Sequence, residues 1–409
     1  MPQPHADPRQ MAALLVAGVL DGQMLPDVAL PAAEPALRAR AQRLALTTLR
    51  HFSRSESVLA PLLQREPQPL VMAALRVAVV EMLALGAAPH GVVNATVNAL
   101  RHDRATGRAA GMANAVLRRA SEFEGWEALP VQRLPGWLRR RLKGVYGEEA
   151  LQAMEAAHQA GAMLDLTLKP GVAAPEGAEA VGQSWRLPAG AQVSALPGFA
   201  EGDWWVQDAA AALPATLLAV QPGESVLDLC AAPGGKTMQL AAAGARVTAL
   251  DLSERRLERL GENLARTGLE AEVVRADALT WVPPAPFDAV LLDAPCSATG
   301  TIRRHPDLPF VRKPGDVPGL IALQAALLDR ALGFVKPGGR LVYCTCSLLP
   351  DEGEAQIEAA LARHPGLRAQ TPPLPLGRAT PEGGWRTRPD DHPQGIDGFY
   401  MALVRRPSV

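Results

Sequence analysis

The thirteen residues from Ser225 to Thr237, SVLDLCAAPGGKT, constrain this chain more than any other stretch. An apolar run closing on Asp228 passes into a loop of small residues, Ala231 to Gly235, and then into the helical pattern Thr237 to Ala243. Strand, glycine-bearing turn and helix in that order open the nucleotide pocket of a doubly wound α/β sheet. Gly234 and Gly235 let the backbone approach a ligand that a Cβ would exclude. Two look-alikes fail. The phosphate-cradling loop needs a glycine five positions before Gly235, where Cys230 stands, and the dinucleotide pattern G-x-G-x-x-G is absent. A nucleoside ligand without phosphates remains, and S-adenosylmethionine is the common one.

The α/β rhythm runs through residues 204–409. VQDAAAALPATLLAV reads as a helix leading into the first strand, Ser225–Cys230. The second strand, RVTALD, ends at Asp251, and its helix spans Ser253 to Arg266. The third, AEVVRAD, ends at Asp277, and the fourth, AVLLDAPC, at Cys296. A helix from Pro318 to Val335 stops at Pro337-Gly338-Gly339, and the fifth strand, RLVYCTC, ends at Cys346. The last helix starts near Asp351, and GFYMALVRR is a closing strand. Ligands of such sheets gather at the carboxyl ends of the strands. Asp251, Asp277, Asp293, Cys296 and Cys346 all fall there.

Each position has a role to fill. Asp251 is placed to accept both hydroxyls of a ribose and Asp277 an adenine amino group, although Asp also ends strands simply to cap the next helix. Enzymes that methylate exocyclic amines carry Asn or Asp followed by Pro-Pro and an aromatic after the fourth strand. This chain has Asp293-Ala294-Pro295-Cys296 there and Thr345-Cys346-Ser347 beside it. Two cysteines on adjacent strand ends suit methylation at carbon 5 of cytosine. That carbon is too weak a nucleophile until a thiolate adds to carbon 6, and thiolate is a soft nucleophile that also leaves again. Asp293 would hydrogen-bond N3 and the amine as charge develops, a second cysteine would assist release, and Lys236 would steady the charges. Cys230 and Cys344 read as small apolar residues.

The remaining sequence bounds the setting. The 409 residues allow two or three domains, and 48% are hydrophobic, enough for real cores. No apolar run is expected to reach the ~20 residues of a membrane span, and MPQPHADPRQ lacks a secretory start, so the expected location is cytoplasmic. The four cysteines form no C-x-x-C pair, so no metal is expected. A net charge of −1 does not advertise nucleic acid, so any RNA must meet a local patch.

Residues 1–125 read as all-helical. Leu37, Ala41, Leu44, Thr48 and Phe52 recur at helical spacing, VMAALRVAVVEMLAL is apolar nearly all round, and GVVNATVNALRH and GMANAVLRRA follow. A generic bundle would show the same pattern. Residues 126–203 form a connector, a small α+β subdomain in which Arg133, Arg139, Arg140, Arg141 and Lys143 surround Trp137 and Tyr146. Cations beside aromatics suit phosphate contact and base stacking, and equally a solvated helix face with its Trp in the core.

Beyond these readings, Val93-Asn94-Ala95-Thr96-Val97 and Met112-Ala113-Asn114-Ala115-Val116-Leu117-Arg118 resemble the two specific helices of NusB-type RNA-binding domains. DLCAAPGGKT, DAPCSATG, RRHPD and YCTCSLLPDEGE resemble the motifs of the RsmB/NOP (Sun-type) family of RNA cytosine-C5 methyltransferases. The resemblance implies an all-α NusB-like domain, a small α+β connector and a Rossmann-like S-adenosylmethionine-dependent domain. It implies 16S rRNA or a small-subunit assembly intermediate as partner of a monomer. Cys346 becomes the nucleophile and Cys296 the residue that helps release product. Cys230, Ala231, Ala232, Pro233, Gly234, Gly235, Lys236, Asp251, Arg256, Asp277 and Asp293 would line the cofactor site. Arg303, Arg304 and His305 would lie by the RNA with Arg139, Arg140, Arg141 and Lys143. One departure stands in the connector, where Thr167-Leu168-Lys169 replaces the family's Arg-Val-Asn-like strand. Rival readings are action on tRNA or another RNA, a DNA cytosine methyltransferase attacking from Pro295-Cys296, and a non-catalytic RNA-binding assembly factor.

Overall fold

A computed structural model describes residues 7–408; the first six residues of the stretch read for a secretory start lie outside them. The chain forms two compact units, Met1–Gly161 with Arg304–Arg312, and Ala162–Arg303 with Lys313–Val409.

The first unit is helical: α1 (Pro8–Leu20), α2 (Pro35–Arg50), α3 (Phe52–Leu59), α4 (Pro69–Leu83), α5 (Pro89–His102), α6 (Ala110–Ala120) and α7 (Gly136–Ala160). Four of them open on proline, whose fixed φ suits the first helical position and whose missing N–H would be unpaired there anyway. The sequence reading of α4 as a core helix holds, since every residue from Val71 to Met82 is buried. Its two charges are matched. Glu81 accepts from Arg9 and lies 3.2 Å from Arg40, while Arg76 pairs with Glu56 and sits 3.9 Å from the Phe52 ring centre. Val93 and Val97 of α5 and Val116 and Leu117 of α6 are buried in the same core, which is why those motif positions are apolar.

The connector expected over 126–203 divides at Gly161. Its helix, α7, continues past the basic run to Ala160, bent at Gly147, where φ of 82° favours a residue without Cβ. Residues 304–312 also belong to this unit. Their short helix α8 (Leu308–Val311) buries Leu308, sets Phe310 edge-on to Phe52 at 5.1 Å, and Asp307 accepts the Leu25 N–H at 3.0 Å.

The second unit begins with a four-stranded antiparallel sheet, β1 (Leu164–Leu168), β2 (Glu179–Val181), β3 (Ser184–Leu187) and β4 (Trp204–Val206), in the order β2-β3-β1-β4. Thr167 and Leu168 pair across with Trp205 and Trp204, and a buried Arg186–Asp165 pair at 2.6 Å crosses the sheet. A nine-stranded mixed sheet follows: β5 (Ser225–Leu229), β6 (Arg246–Asp251), β7 (Glu272–Arg275), β8 (Phe287–Asp293), β9 (Val335–Thr345), β10 (Arg368–Ala369), β11 (Arg378–Ala379), β12 (Trp385–Thr387) and β13 (Phe399–Arg405). Its order is β11-β12-β13-β9-β8-β5-β6-β7, with β10 beside β13. Strands β5 to β9 are parallel neighbours and β13 runs against β9. The order reverses at β5, the point where such sheets open a crevice.

Three expectations need correction. The third strand stops at Arg275, leaving Asp277 beyond it. Pro337-Gly338-Gly339 lies within β9 rather than ending a helix. The helix before it, α11 (Val317–Phe334; α9 is Ala209–Leu218 and α10 Gly235–Ala242), is part of a 21-residue segment, Pro314–Phe334, apolar and long enough by composition to span a membrane. Its Leu327, Leu328, Ala331 and Phe334 instead pack into the core with Phe287 and Val290 of β8 and Leu341 of β9.

Candidate active site

The glycine-rich loop leaves β5 through Cys230, whose φ of 60° turns the chain out of the strand, and passes a cis Ala232–Pro233 bond. Gly234, at φ of 103°, caps α10, and a Cβ there would press on Leu260 at 3.0 Å. The loop is held from β6. Asp251, nearly buried, accepts the Ala232 N–H at 3.1 Å and the Ser253 N–H at 2.9 Å. Arg256 lies 3.5 Å from Asp251 and donates to the Ala232 carbonyl, so it shapes the loop. Asp277 is exposed and accepts the Leu279 N–H at 2.9 Å.

Beneath the loop the carboxylates crowd together. Asp228 is fully buried and accepts from Thr237 at 2.6 Å through one oxygen, while the other has no hydrogen-bond partner. Burial, more than any neighbour, raises its carboxyl to about 7, and burial followed by Asp251 pushes the Cys230 thiol up to about 12. Lys236, at the start of α10, donates to Asp293 at 2.7 Å and lies 5.3 Å from the Phe399 ring centre. An acceptor wall (Asp228, Asp251, Asp293), an orphaned buried oxygen and small loop residues suit a cationic nucleoside such as S-adenosylmethionine.

The two strand-end thiols meet. Asp293 of β8 is in register with Cys344 of β9, so the chain beyond each strand carries Cys296 and Cys346 to the same point. Their sulfurs are 3.5 Å apart, Cys296 buried and Cys346 half-buried. The Ala294 N–H to Cys344 carbonyl bond and the Gly300 N–H to Cys346 carbonyl bond, each 2.9 Å, tie the two segments. Gly300 is required for this crossing, since a Cβ would come 1.8 Å from the Gly398 carbonyl oxygen. The hydrogen bond with Cys346 first, and burial second, hold the Cys296 thiol well above its ordinary value.

The other expected site residues scatter. Arg303 is fully enclosed in the second unit, with Asp208 at 2.7 Å and Asp397 at 3.7 Å, and it offers no face to an RNA. Arg304 is half-buried and His305 exposed, both in the helical unit. On α7, Arg140, Arg141 and Lys143 are exposed, while Arg139 is half-buried against Glu155 and Glu148. Two residues escape the sequence reading. Cys344 is not merely apolar filler, because its thiol lies 3.5 Å from the second Asp293 oxygen. Glu352 is fully buried among the serines that follow the two cysteines. Its place in PDEGE, next to the cysteine strand, was the available signal. No group of three or more potential metal ligands occurs among the described residues.

A model of the family described as 16S rRNA methyltransferase RsmB/F matches residues 215–405, and one of the NusB family matches residues 7–122. The chain is 38% identical over 435 residues to ribosomal RNA small subunit methyltransferase B of Pseudomonas putida, covering 97% of this chain and 98% of that one. The protein of the same description from Xanthomonas campestris is also 38% identical, over 98% of this chain and 97% of its own. Among solved structures, PH0851 shares the fold at a TM-score of 0.77, with 24% identity over 99% of this chain and 100% of that chain.

Proposed function

We propose that this chain, which belongs to the RsmB/F family of 16S rRNA methyltransferases and carries a NusB-family domain, methylates carbon 5 of a cytosine in small-subunit ribosomal RNA through a covalent cysteine adduct. It is an S-adenosylmethionine-dependent RNA methyltransferase, and the bound donor supplies an electrophilic methyl group. The observation that carries the finer reading is the thiol pair, two sulfurs 3.5 Å apart at the ends of adjacent parallel strands.

The half-buried Cys346 is the nucleophile. Its sulfur gives its proton to solvent and, as thiolate, bonds carbon 6 of the cytosine, and the displaced ring electrons make carbon 5 nucleophilic. Asp293, steadied by Lys236, faces N3 and the exocyclic amine as charge shifts there. Carbon 5 takes the methyl group and then loses its proton to a solvent water. The electron pair of that C–H bond re-forms the ring double bond as the Cys346–carbon 6 bond breaks onto sulfur. Cys296 attends this last step, its sulfur 3.5 Å from that of Cys346 and its thiol held above its ordinary value by that contact and by burial. Cys230 to Gly235, Lys236, Asp251 and Asp277 would hold the donor, and Arg256 shapes their loop.

A cytosine in a helix must be turned out of its stack to reach buried thiols, so an unpaired target is expected. The exposed cations of α7 are the RNA contacts in this reading, Arg140 ahead of the Glu148-paired Lys143, and the protein works as a monomer in the cytoplasm. The test is covalent trapping. Cys296→Ala, mixed with small-subunit rRNA and S-adenosylmethionine, should give a protein–RNA band on a denaturing gel that disappears in Cys296→Ala/Cys346→Ala. An adduct that requires Cys296 and survives loss of Cys346 would reverse the roles. RNA binding with no adduct and no methyl transfer would favour an assembly factor instead.

A further inference from the structure

Glu352 closes the 3₁₀ turn Pro350–Glu352 and is fully buried. Its Oε1 accepts the Ser297 backbone N–H at 2.9 Å and Gln324 Nε2 at 3.0 Å. Its Oε2 accepts the hydroxyls of Ser297 and Ser347, each at 2.5 Å. Its own backbone carbonyl takes the hydroxyls of Tyr343 at 2.8 Å and Thr345 at 3.0 Å. Ser297 follows Cys296 directly, and Ser347 follows Cys346. Gln324 also donates to the Pro295 carbonyl at 2.9 Å, on the other side of Cys296.

We propose that Glu352 is the positioning residue of the active site, a single carboxylate that fastens both cysteine-bearing segments and so sets the spacing of the two thiols. Four donors converge on its side chain, and a carboxylate is the side chain that accepts four and donates none. Glutamine has nearly the same shape, but its N–H₂ turned toward the Ser297 N–H and Gln324 Nε2 would set buried donors against each other, and turned the other way it would force both serine hydroxyls to accept and lose their charge-assisted bonds. The neighbouring bonds are weaker ties, backbone to backbone across the strands or hydroxyl to hydroxyl, with Ser297 Oγ 3.1 Å from Ser347 Oγ and Thr299 Oγ1 3.3 Å from each. Glu352 is the charged acceptor onto which both serines donate. Addition to carbon 6 and release from it need both sulfurs held against one base, and a misplacement of about 1 Å costs on the order of 100-fold in rate.

This inference rests on the two-thiol reading above, so its test includes a readout that does not depend on the reaction. Dibromobimane fluoresces when it bridges two nearby thiols; the full-length protein should be bridged readily, and Cys346→Ala should abolish the signal. Glu352→Gln should slow bridging and lower kcat by about 100-fold, with S-adenosylmethionine affinity and the KM for RNA changed by less than about threefold. The serines divide the effect. Ser347→Ala should slow adduct formation, while Ser297→Ala should let the adduct accumulate. If Glu352→Gln does not fold, these two variants carry the test. Unchanged bridging with kcat near that of the parent would overturn the proposal, as would a parallel fall of cofactor affinity, melting temperature and kcat. A failure of trapping in Cys296→Ala, with bridging still slowed by Glu352→Gln, would overturn the cytosine chemistry and leave the positioning role standing.

Discussion

Lys236 Nζ lies 2.7 Å from Asp293 Oδ2, joining the helix after the glycine-rich loop to the end of the neighbouring strand. Burial by itself would lower the ammonium, but the charge of Asp293 foremost outweighs it and holds Lys236 above its ordinary range. The cation is therefore fixed in place, and Asp293 has one oxygen on Lys236 and the other facing the Cys344 thiol. With both oxygens engaged, the carboxylate is held in a single orientation.

Lys236→Met keeps the apolar stem over Phe399 and removes the charge. Losing a hydrogen bond between charged groups should cost about 1–3 kcal/mol of stability, read as a lower urea midpoint. Methyl transfer in single turnover should fall by about 100-fold, as Asp293 loses the group that orients it. Lys236→Arg should restore part of the stability and little of the rate, because a planar guanidinium does not fit the ammonium's place. A stable but fully active Lys236→Met would confine Lys236 to a structural role.

Much of this centre was legible because parallel strands announce themselves. Each apolar run ended on an Asp or Cys, and parallel order carries such ends to one rim, so Asp251, Asp293, Cys296 and Cys346 could be gathered from the sequence alone. What escaped depends on partners distant in sequence. Arg303 reads as an RNA contact until Asp208 and Asp397 close around it, and nothing local signals pairs so far apart. Residues 304–312 look like part of the α/β domain, yet Phe310 and Val311 pack into the helical core. Strands β11 and β12, two and three residues long, are too short for alternation to show. Glu352 sat in plain view as one acid among several, and only full burial distinguishes it from its half-buried neighbours Asp351 and Glu354.

His51 gives the helical unit a pH dependence of its own. The ring is half-buried beside Trp126, at 5.7 Å between ring centres. Burial, then Arg54 with Arg50 adding, lowers its pKa from 6.5 to about 4, against an opposing pull from Glu127. The folded state therefore keeps His51 neutral where the unfolded chain protonates it. Its contribution is intact above pH 6.5, is lost as pH falls from 6.5 toward 4, and changes no further below that. At about 1.4 kcal/mol per pKa unit, and allowing for solvent at a half-buried ring, the loss should be about 2 kcal/mol. Melting temperature measured from pH 7 to pH 4.5 should fall less steeply in His51→Gln than in the parent. Parallel slopes in the two proteins would refute the assignment.

The cations of the basic run on α7 are not equivalent. Arg139 is bound to Glu148 and to Glu155, the latter at 3.1 Å, and Lys143 lies 3.0 Å from Glu148. Hydrogen bonds from Arg139, then Lys143, hold the Glu148 carboxyl down to about 2, so both cations are already matched. To meet phosphate they would first have to leave a carboxylate, and the gain would largely cancel. Arg140 stands exposed on the same helix. If α7 meets RNA, Arg140 should release more counterion than Lys143 does. Arg140→Glu should weaken binding severalfold at low salt and flatten the log K against log salt slope by at least about 0.7, the change expected for one phosphate no longer neutralised on a single strand, with the reversed charge adding repulsion. Lys143→Ala should change the slope by less than that, and cofactor binding should stay the same in both variants. Equal effects from Lys143 and Arg140 would show that the Glu148 pairs open on binding, and an unchanged slope in Arg140→Glu would remove that face of α7 from the RNA path.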